Sequence, residues 1–319
     1  MARLAGRGEA FTPPVPTRMA FRGELPMRVF VTGATGGIGT AVVAELLGAG
    51  HQVLGLARSD TSAQALVGAG ASVLRGDLGD LEGLGAGAAQ CDGVVHLAFG
   101  NDFENFAACV AEEAGAVHAL GAALQGSGKP LVIASGTPAV PGRLATERDP
   151  NPTEGPVGGR GRNAQYVLDL AAQGVRSAVV RLPRSVHAAG GPYGLASILL
   201  AAARQRGVSA YVGDGTQRWP AVHRLDAARL FRLVLEGAPP GTVVHAVADE
   251  GDPMRAIAEV IGRRLGLPTR AVPAETFGSL GQVFGVDQPA SSAHTREAFG
   301  WQPIHPGLLE DLETGIFPD

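Results

Sequence analysis

Three observations predict an α/β fold built on a doubly wound parallel sheet, with a smaller C-terminal lobe. Short β-branched apolar runs alternate with helix-length patterns between Met27 and Pro183. A glycine-rich turn joins the first such run to the first helix. After Pro183 helical patterns dominate and the alternation fades. The chain has 319 residues, 45% hydrophobic, enough for one large domain or two packed closely together.

The elements follow in order. "MRVFVTG" reads as a buried strand, and "IGTAVVAELLGAG" as a helix with Ile38, Val42, Leu46 and Leu47 on one face, closed by Gly48 and Gly50. "HQVLGLA" is a second strand, "TSAQALVGAG" a short helix and "ASVLRGD" a third strand. "DGVVHLAF" is a fourth strand, followed by a long helix from "ENFAACV" to "LQGSG". "KPLVIASG" is a fifth strand, "AQYVLDLAAQG" a helix and "VRSAVVRLP" a sixth strand. The glycine-rich "EGPVGGRGRN" before that helix reads as a loop. Strands separated by helices call for parallel pairing, with both faces of the sheet covered. Beyond Pro183, "ASILLAAARQRG", "LDAARLFRLVLEG" and "MRAIAEVIGRRLGLP" are helical, and a short amphipathic helix ends the chain. "GTVVHAVAD", near 241–249, reads as a strand returning to the main sheet. The organisation expected is thus a disordered extension over 1–26, a dinucleotide-binding domain over 27–183 and a substrate lobe made mainly of 184–319.

Composition narrows the function. A net charge of −4 lacks the basic surplus of a nucleic-acid binder. Two cysteines, Cys91 and Cys109, are too few for a disulfide framework or a cysteine zinc site, and no metal is expected. No secretory leader is evident in 1–26, and no stretch reaches the roughly 20 apolar residues of a membrane span. A cytoplasmic protein with a small-molecule substrate is expected, with a homodimer through two long helices left open.

The glycine turn carries the chemistry. "TGATGGIG" leaves a strand and opens a helix, the context that separates a phosphate-binding turn from chance glycines. Gly33 allows the tight turn, Gly36 lets backbone approach a pyrophosphate, and Gly39 lets helix and strand pack closely. The helix N-terminus then faces the anion, with Thr35, Gly37 and Ile38 alongside. An NAD site usually ends its second strand with an acid that binds the ribose. Here Ala57 stands at that point and Arg58 follows, a guanidinium suited to the 2′-phosphate of NADP(H). Asp60 keeps NAD(H) open as the less favoured cofactor, although its position before "TSAQAL" suits a helix cap.

With this spacing the sequence resembles the short-chain dehydrogenase/reductase superfamily, in its extended and atypical branch of epimerase/dehydratase-like proteins. "RGDLGD", "VVHLAF", "VVRLPRSVHAAGG" and "RWPAVHRLDAARLFRLVLE" carry the likeness over most of the chain. The resemblance implies a Rossmann-type fold. It places Asp77 and Leu78 near the adenine, Leu97 and Ala98 along the cofactor, and Pro183 near the nicotinamide. His96 reads as a core histidine satisfied by backbone groups, and Asp226 as the cap of a helix starting at Ala227. The superfamily usually works with a Ser or Thr after the fifth strand and a Tyr-x-x-x-Lys on the next helix. Thr137 takes the hydroxyl position, with Ser135 nearer the cofactor. The dyad is missing. Its positions fall near Pro156 and Arg160, and the nearby Tyr166 has Leu170 where the lysine would stand. Arg160 or Arg162 could replace the lysine's charge. Tyr166 stays a second catalytic candidate, and Tyr193, His187, His223 or water are alternative proton donors. The expected function is an NADP(H)-dependent oxidoreductase lacking the Tyr–Lys dyad. A redox-neutral isomerase, dehydratase or cyclase, or an NADP(H)-sensing regulator, remain alternatives.

Overall fold

The computed structural model describes residues 26–100, 102, 105–155, 158–315 and 317. The expected 1–26 extension lies almost wholly outside these residues. Strands β1 (Arg28–Thr32), β2 (Gln52–Ala57), β3 (Ser72–Arg75), β4 (Gly93–His96), β5 (Pro130–Gly136), β6 (Arg176–Leu182) and β10 (Thr242–His245) form one parallel sheet. Their order is β10-β6-β5-β4-β1-β2-β3, so the sheet is wound outward in both directions from β1 and β4. In such a sheet the crevice at the carboxyl ends of the two switch-point strands receives the ligand.

The alternation of strand side chains sorts the core into two layers. Val29, Val31, Val95, Val132 and Val180 face α1 (Gly39–Gly48) and α7 (Arg224–Gly237). Phe30, Val94, Leu131, Ile133 and Val179 face α3 (Leu81–Ala89), α4 (Phe106–Leu124) and α5 (Gly158–Asp169). α4 has the length and composition of a membrane span. Here it lies on the sheet between α3 and α5, burying Ala116, Val117, Leu120 and Leu124. Residues 224–245 thus return to the first core, interrupting the second lobe in sequence.

That lobe surrounds a separate core of Tyr193, Leu199, Trp219, Ile257, Ile261 and Phe284. It holds a three-stranded sheet of β11 (Asp249–Pro253), β9 (Arg218–His223) and β7 (Ser185–His187), and a parallel pair of β12 (Thr269–Val272) and β8 (Ser209–Val212). Helices α2 (Asp60–Gly68), α6 (Ala196–Arg206), α8 (Met254–Leu265), α9 (Gly281–Phe284), α10 (Ala293–Phe299) and α11 (Leu308–Thr314), with 3-10 turns at Leu170–Gln173 and Ala274–Leu280, complete the elements of the described residues.

Three local expectations need correction. The glycine-rich stretch from Gly158 to Asn163 is the first half of α5, not a loop. Glycine's low helix propensity is overridden by packing. A Cβ on Gly161 would lie 1.7 Å from the Pro152 carbonyl oxygen, and one on Gly159 would lie 2.4 Å from Val110. Only glycine lets this helix sit so close to its neighbours. Asp60 is not the cap of α2. Ser59 is, accepting from Ser62 N at 3.2 Å, while Asp60 pairs with Arg75 on the surface. Asp226 is not the cap of α7 either. His223 Nδ1 accepts from Leu225 N, and the buried Asp226 carboxylate accepts from the backbone of Ile304 and His305.

Candidate dinucleotide and substrate site

A cavity of about 1050 Å³ opens at the carboxyl ends of β1 and β4 and reaches across to the second lobe. Its floor is the turn between β1 and α1. Gly33 has φ +66°, and a Cβ there would lie 2.7 Å from Ala98 N. A Cβ on Gly39 would lie 2.0 Å from the Gly33 carbonyl oxygen. The turn therefore closes only with glycine at both ends, fixed by Gly36 N donating to Gly33 O at 3.0 Å. Gly36 and Gly37, exposed and without side chains, present bare backbone at the start of α1. This cradle fits a pyrophosphate: it offers amides, the positive end of a helix and nothing that a Cβ would obstruct.

All thirteen residues expected to line the cofactor do line this cavity. Gly33, Thr35, Gly36, Gly37, Ile38 and Gly39 form the floor. Arg58 follows β2, and Asp77 and Leu78 follow β3; Leu97, Ala98, Ser135 and Pro183 also line the cavity. Arg58 is exposed and has no hydrogen bond or ion pair among the described residues. Ser62 joins Thr35 and Arg58 there, and Thr35 Oγ1 lies 3.4 Å from Ser62 Oγ. Asp60 is drawn away by Arg75 at 2.9 Å.

The two catalytic candidates part company. Thr137 is buried at the end of β5, on the cavity wall. Tyr166 is not in the cavity. Its ring stacks on His118 of α4 at 3.9 Å between centroids, so the structure does not bring it into the cavity with Thr137. Arg160 and Tyr166 both meet α4, at Glu113 and His118, and a rise of about 1.5 Å per residue carries Tyr166 roughly 9 Å along α5 from Arg160.

Arg160, at the position of the absent lysine, does line the cavity. It donates to buried Glu113 at 2.8 Å and to the Ala134 carbonyl at 3.0 Å, and covers the Phe99 ring at 4.1 Å. Asn163 Nδ2 also donates to Glu113, at 2.9 Å. Arg162 instead points outward to the Thr153 carbonyl. His96 is not satisfied by backbone. Its Nδ1 meets Thr32 Oγ1 at 2.8 Å, and its buried Nε2 has no partner among the described residues. Burial and the Arg160 charge push it down to about 4, so it stays neutral.

The remaining proton-donor candidates lie outside the cavity. His187 pairs with Asp311 at 2.7 Å in the second lobe. The Tyr193 hydroxyl accepts from Gly190 N at 3.1 Å. His223, Asp226 and His305 cluster closely enough to hold an ion. Their groups are already engaged: Asp226 takes three hydrogen bonds from residues 304–305 and His223 Nδ1 takes one from Leu225 N.

Sequence reasoning missed Gln288, Arg184 and Arg224, all on the cavity wall. Gln288 Nε2 donates to the Thr137 carbonyl and, at 3.2 Å, to Thr137 Oγ1. Arg184 Nε donates to Gln288 Oε1 at 2.8 Å, and because arginine only donates, this fixes which way the amide faces. With one lone pair of Oγ1 taken by Gln288, the Thr137 hydroxyl proton is free to point into the cavity. No local pattern marks Gln288, which lies 151 residues from Thr137 along the chain.

Fold and cradle together define a doubly wound α/β protein built to hold a dinucleotide. The chain belongs to the NAD dependent epimerase/dehydratase family, whose model matches residues 29–247, and a nicotinamide cofactor goes with that membership. An uncharacterized protein of Schizosaccharomyces pombe is 43% identical over 297 residues, covering 91% of this chain and 100% of its own. An uncharacterized protein of Saccharomyces cerevisiae is 44% identical over 293 residues, covering 90% of this chain and 98% of its own. The UDP-glucose 4-epimerase of Thermus thermophilus, solved in complex with NAD, has the same fold. It is 20% identical with a TM-score of 0.72, over 91% of this chain and 100% of its own.

Proposed function

We propose that the protein is an NADP(H)-dependent oxidoreductase that acts on a small carbonyl or imine compound, or on the corresponding alcohol or amine, without a catalytic tyrosine. The observation that carries this reading is the Thr137 hydroxyl, oriented by Gln288 and opening into the same cavity as the glycine cradle. The cofactor, held by the cradle and Arg58, supplies hydride exchange with a carbon centre of the substrate. Thr137 donates a hydrogen bond to the oxygen or nitrogen on that carbon, stabilising the charge that gathers there. Among the described residues no tyrosine, histidine, cysteine or lysine lines the cavity. Its acidic side chains are Asp77 and Glu112, so the proton that completes the product comes from water, directly or through Glu112, and electron-poor carbonyls that need little acid assistance are the favoured substrates.

NADP(H) is preferred on Arg58. It follows Ala57 instead of an acid, forms no ion pair among the described residues, and lines the cavity along with Thr35 and Ser62. A 2′-phosphate would gain charge-assisted bonds there, whereas a carboxylate would repel it.

The test is consumption of NADPH by the purified protein with a panel of aldehydes, ketones and imines. With an active substrate, Thr137→Val should lower kcat about tenfold or more and leave NADPH affinity within about twofold, the loss of one oriented donor being worth roughly 1.5–3 kcal/mol. Unchanged turnover in Thr137→Val would overturn the role of the hydroxyl, and no NADPH consumption across the panel would overturn the reductase reading.

A further inference from the structure

The second-lobe wall of the cavity carries positive charge that its own contacts leave unneutralised. Arg184 follows β6 on the cavity wall and makes two hydrogen bonds, to Gln288 Oε1 at 2.8 Å and to the Val283 carbonyl at 2.7 Å. Both acceptors are neutral. Asp287, the carboxylate whose field reaches Arg184, is committed to Arg218 by bonds of 3.1 and 2.8 Å. The guanidinium carbon lies 5.2 Å from the Trp219 ring centroid, a further weak attraction. Burial pushes Arg184 down only to about 10, so it is charged at neutral pH. Arg224, at the start of α7, also lines the cavity and has no hydrogen bond or ion pair among the described residues. Arg160 differs from both, because buried Glu113 answers its charge at 2.8 Å. A half-buried cation with neutral partners is under-compensated, and an incoming anion gains a strong charge-assisted bond there.

We infer that the substrate carries an acidic group, a carboxylate or a phosphate, which Arg184 binds while Thr137 donates to the reacting oxygen. This rests on the reductase reading above. Gln288 couples the two contacts, since its single amide accepts from Arg184 and donates to Thr137. With bonds of 2.8 and 3.2 Å to either side of that amide, Arg184 Nε and Thr137 Oγ1 are at most about 9 Å apart. The acid group and the reacting carbonyl therefore belong to one compact molecule, such as a short oxo acid or a phosphorylated ketone or aldehyde. Gln288 is a positioning residue: an anion on Arg184 holds the amide in the orientation that aims the Thr137 hydroxyl.

The experiment titrates the full chain, with and without saturating NADPH, against matched probes. These are pyruvate and methyl pyruvate, acetoacetate and its methyl ester, and dihydroxyacetone phosphate and dihydroxyacetone. Binding is read from tryptophan emission, to which buried Trp219 beside Arg184 contributes, and from thermal shift. The acidic member of at least one pair should bind at least tenfold tighter than its neutral counterpart. Whether the oxo acids or the phosphate ester respond identifies the anion. Arg184→Gln should reduce the acid to the level of the neutral probe, Arg184→Lys should keep part of the preference, and NADPH affinity should stay within twofold in both. Should Arg184→Gln not fold, the wild-type comparison of acid with neutral probe and Arg184→Lys still decide. Equal binding of acidic and neutral members, no binding of any probe, or an undiminished preference in Arg184→Gln would overturn the proposal. NADPH titration of the same samples separates the two readings. Acid preference without NADPH binding contradicts the reductase and leaves the Arg184 site standing, whereas NADPH binding without acid preference removes the Arg184 site alone.

Discussion

The two halves of the cavity are built from different kinds of sequence. The cofactor half is made of short runs at the ends of neighbouring strands: 33–39 after β1, Arg58 after β2, Asp77 and Leu78 after β3, Leu97 and Ala98 after β4. The reaction half joins Thr137, Arg160, Arg184, Arg224 and Gln288, which come from five separate segments and meet only through the tertiary fold. Bare backbone forms the floor of the first half, so glycine spacing reveals it. Side chains line the second, and their partners lie far away in sequence.

The largest effect should come from the backbone half. Gly39→Ala would put a Cβ 2.0 Å from the Gly33 carbonyl oxygen, so the turn must open. A loss of about 1–3 kcal/mol or more is expected, a drop in Tm of roughly 5 °C or more, together with loss of dinucleotide binding. Gly36→Val separates binding from folding, because its added Cβ meets only the Gly33 oxygen, at 3.3 Å, at the exposed face of the turn. Its Tm should stay within about 3 °C of the wild type, while dinucleotide affinity falls about 100-fold, near 2.7 kcal/mol. Thermal melts and calorimetry check both. Normal binding by Gly36→Val would show that the phosphates do not approach this turn.

A smaller effect, in pH, reports on the packed polar groups rather than on either half. Burial holds His96 and His245 neutral, each pushed down to about 4. Between about pH 6.5 and 4 the unfolded chain then binds more protons than the native one, so stability falls as pH falls. Burial lowers His187 and His223 as well, so Asp252, pushed up to about 6 by burial and by Asp249, acts in the opposite direction over much of that window as one group against four. Tm measured from pH 7.5 to 4.5 should decline steadily below about 6.5, and a rising Tm would contradict the neutral histidines.

The smallest effect belongs to Tyr166→Phe. The hydroxyl lies outside the cavity while the ring keeps its stack on His118, so turnover and NADPH affinity should both remain within about twofold. Loss of turnover in a folded, NADPH-binding variant would return a tyrosine to the mechanism and erase the contrast between the halves.

What could be read from the chain follows the same division. The sheet was readable from alternation, because strands buried on both faces need continuous apolar runs such as "RVFVT" and "PLVIA". Helix α3 is not legible because "LEGLGAGAA" carries three glycines and a weak apolar stripe, and strands β7, β9, β11 and β12 are not because β7 and β12 have only three and four residues while "RWPAVH" and "DEGDP" are broken by proline, glycine or charge. The start of α5 was misread for a related reason. Its glycines mark close packing against Pro152 and Val110, which composition alone does not distinguish from a flexible loop. Thr137 could be placed by resemblance, but the amide that orients it arrives from residue 288, and nothing near Thr137 announces that contact.

The most direct measurement of the central claim is the affinity of the purified protein for NADPH and NADH, compared by calorimetry in the wild type and in Arg58→Ala. NADPH should bind the wild type about 10- to 100-fold tighter than NADH, the worth of one charge-assisted contact of roughly 1.5–3 kcal/mol, and Arg58→Ala should bring the two cofactors level by weakening NADPH alone. NADH binding as tightly as NADPH in the wild type, or an equal loss of both cofactors in Arg58→Ala, would contradict it.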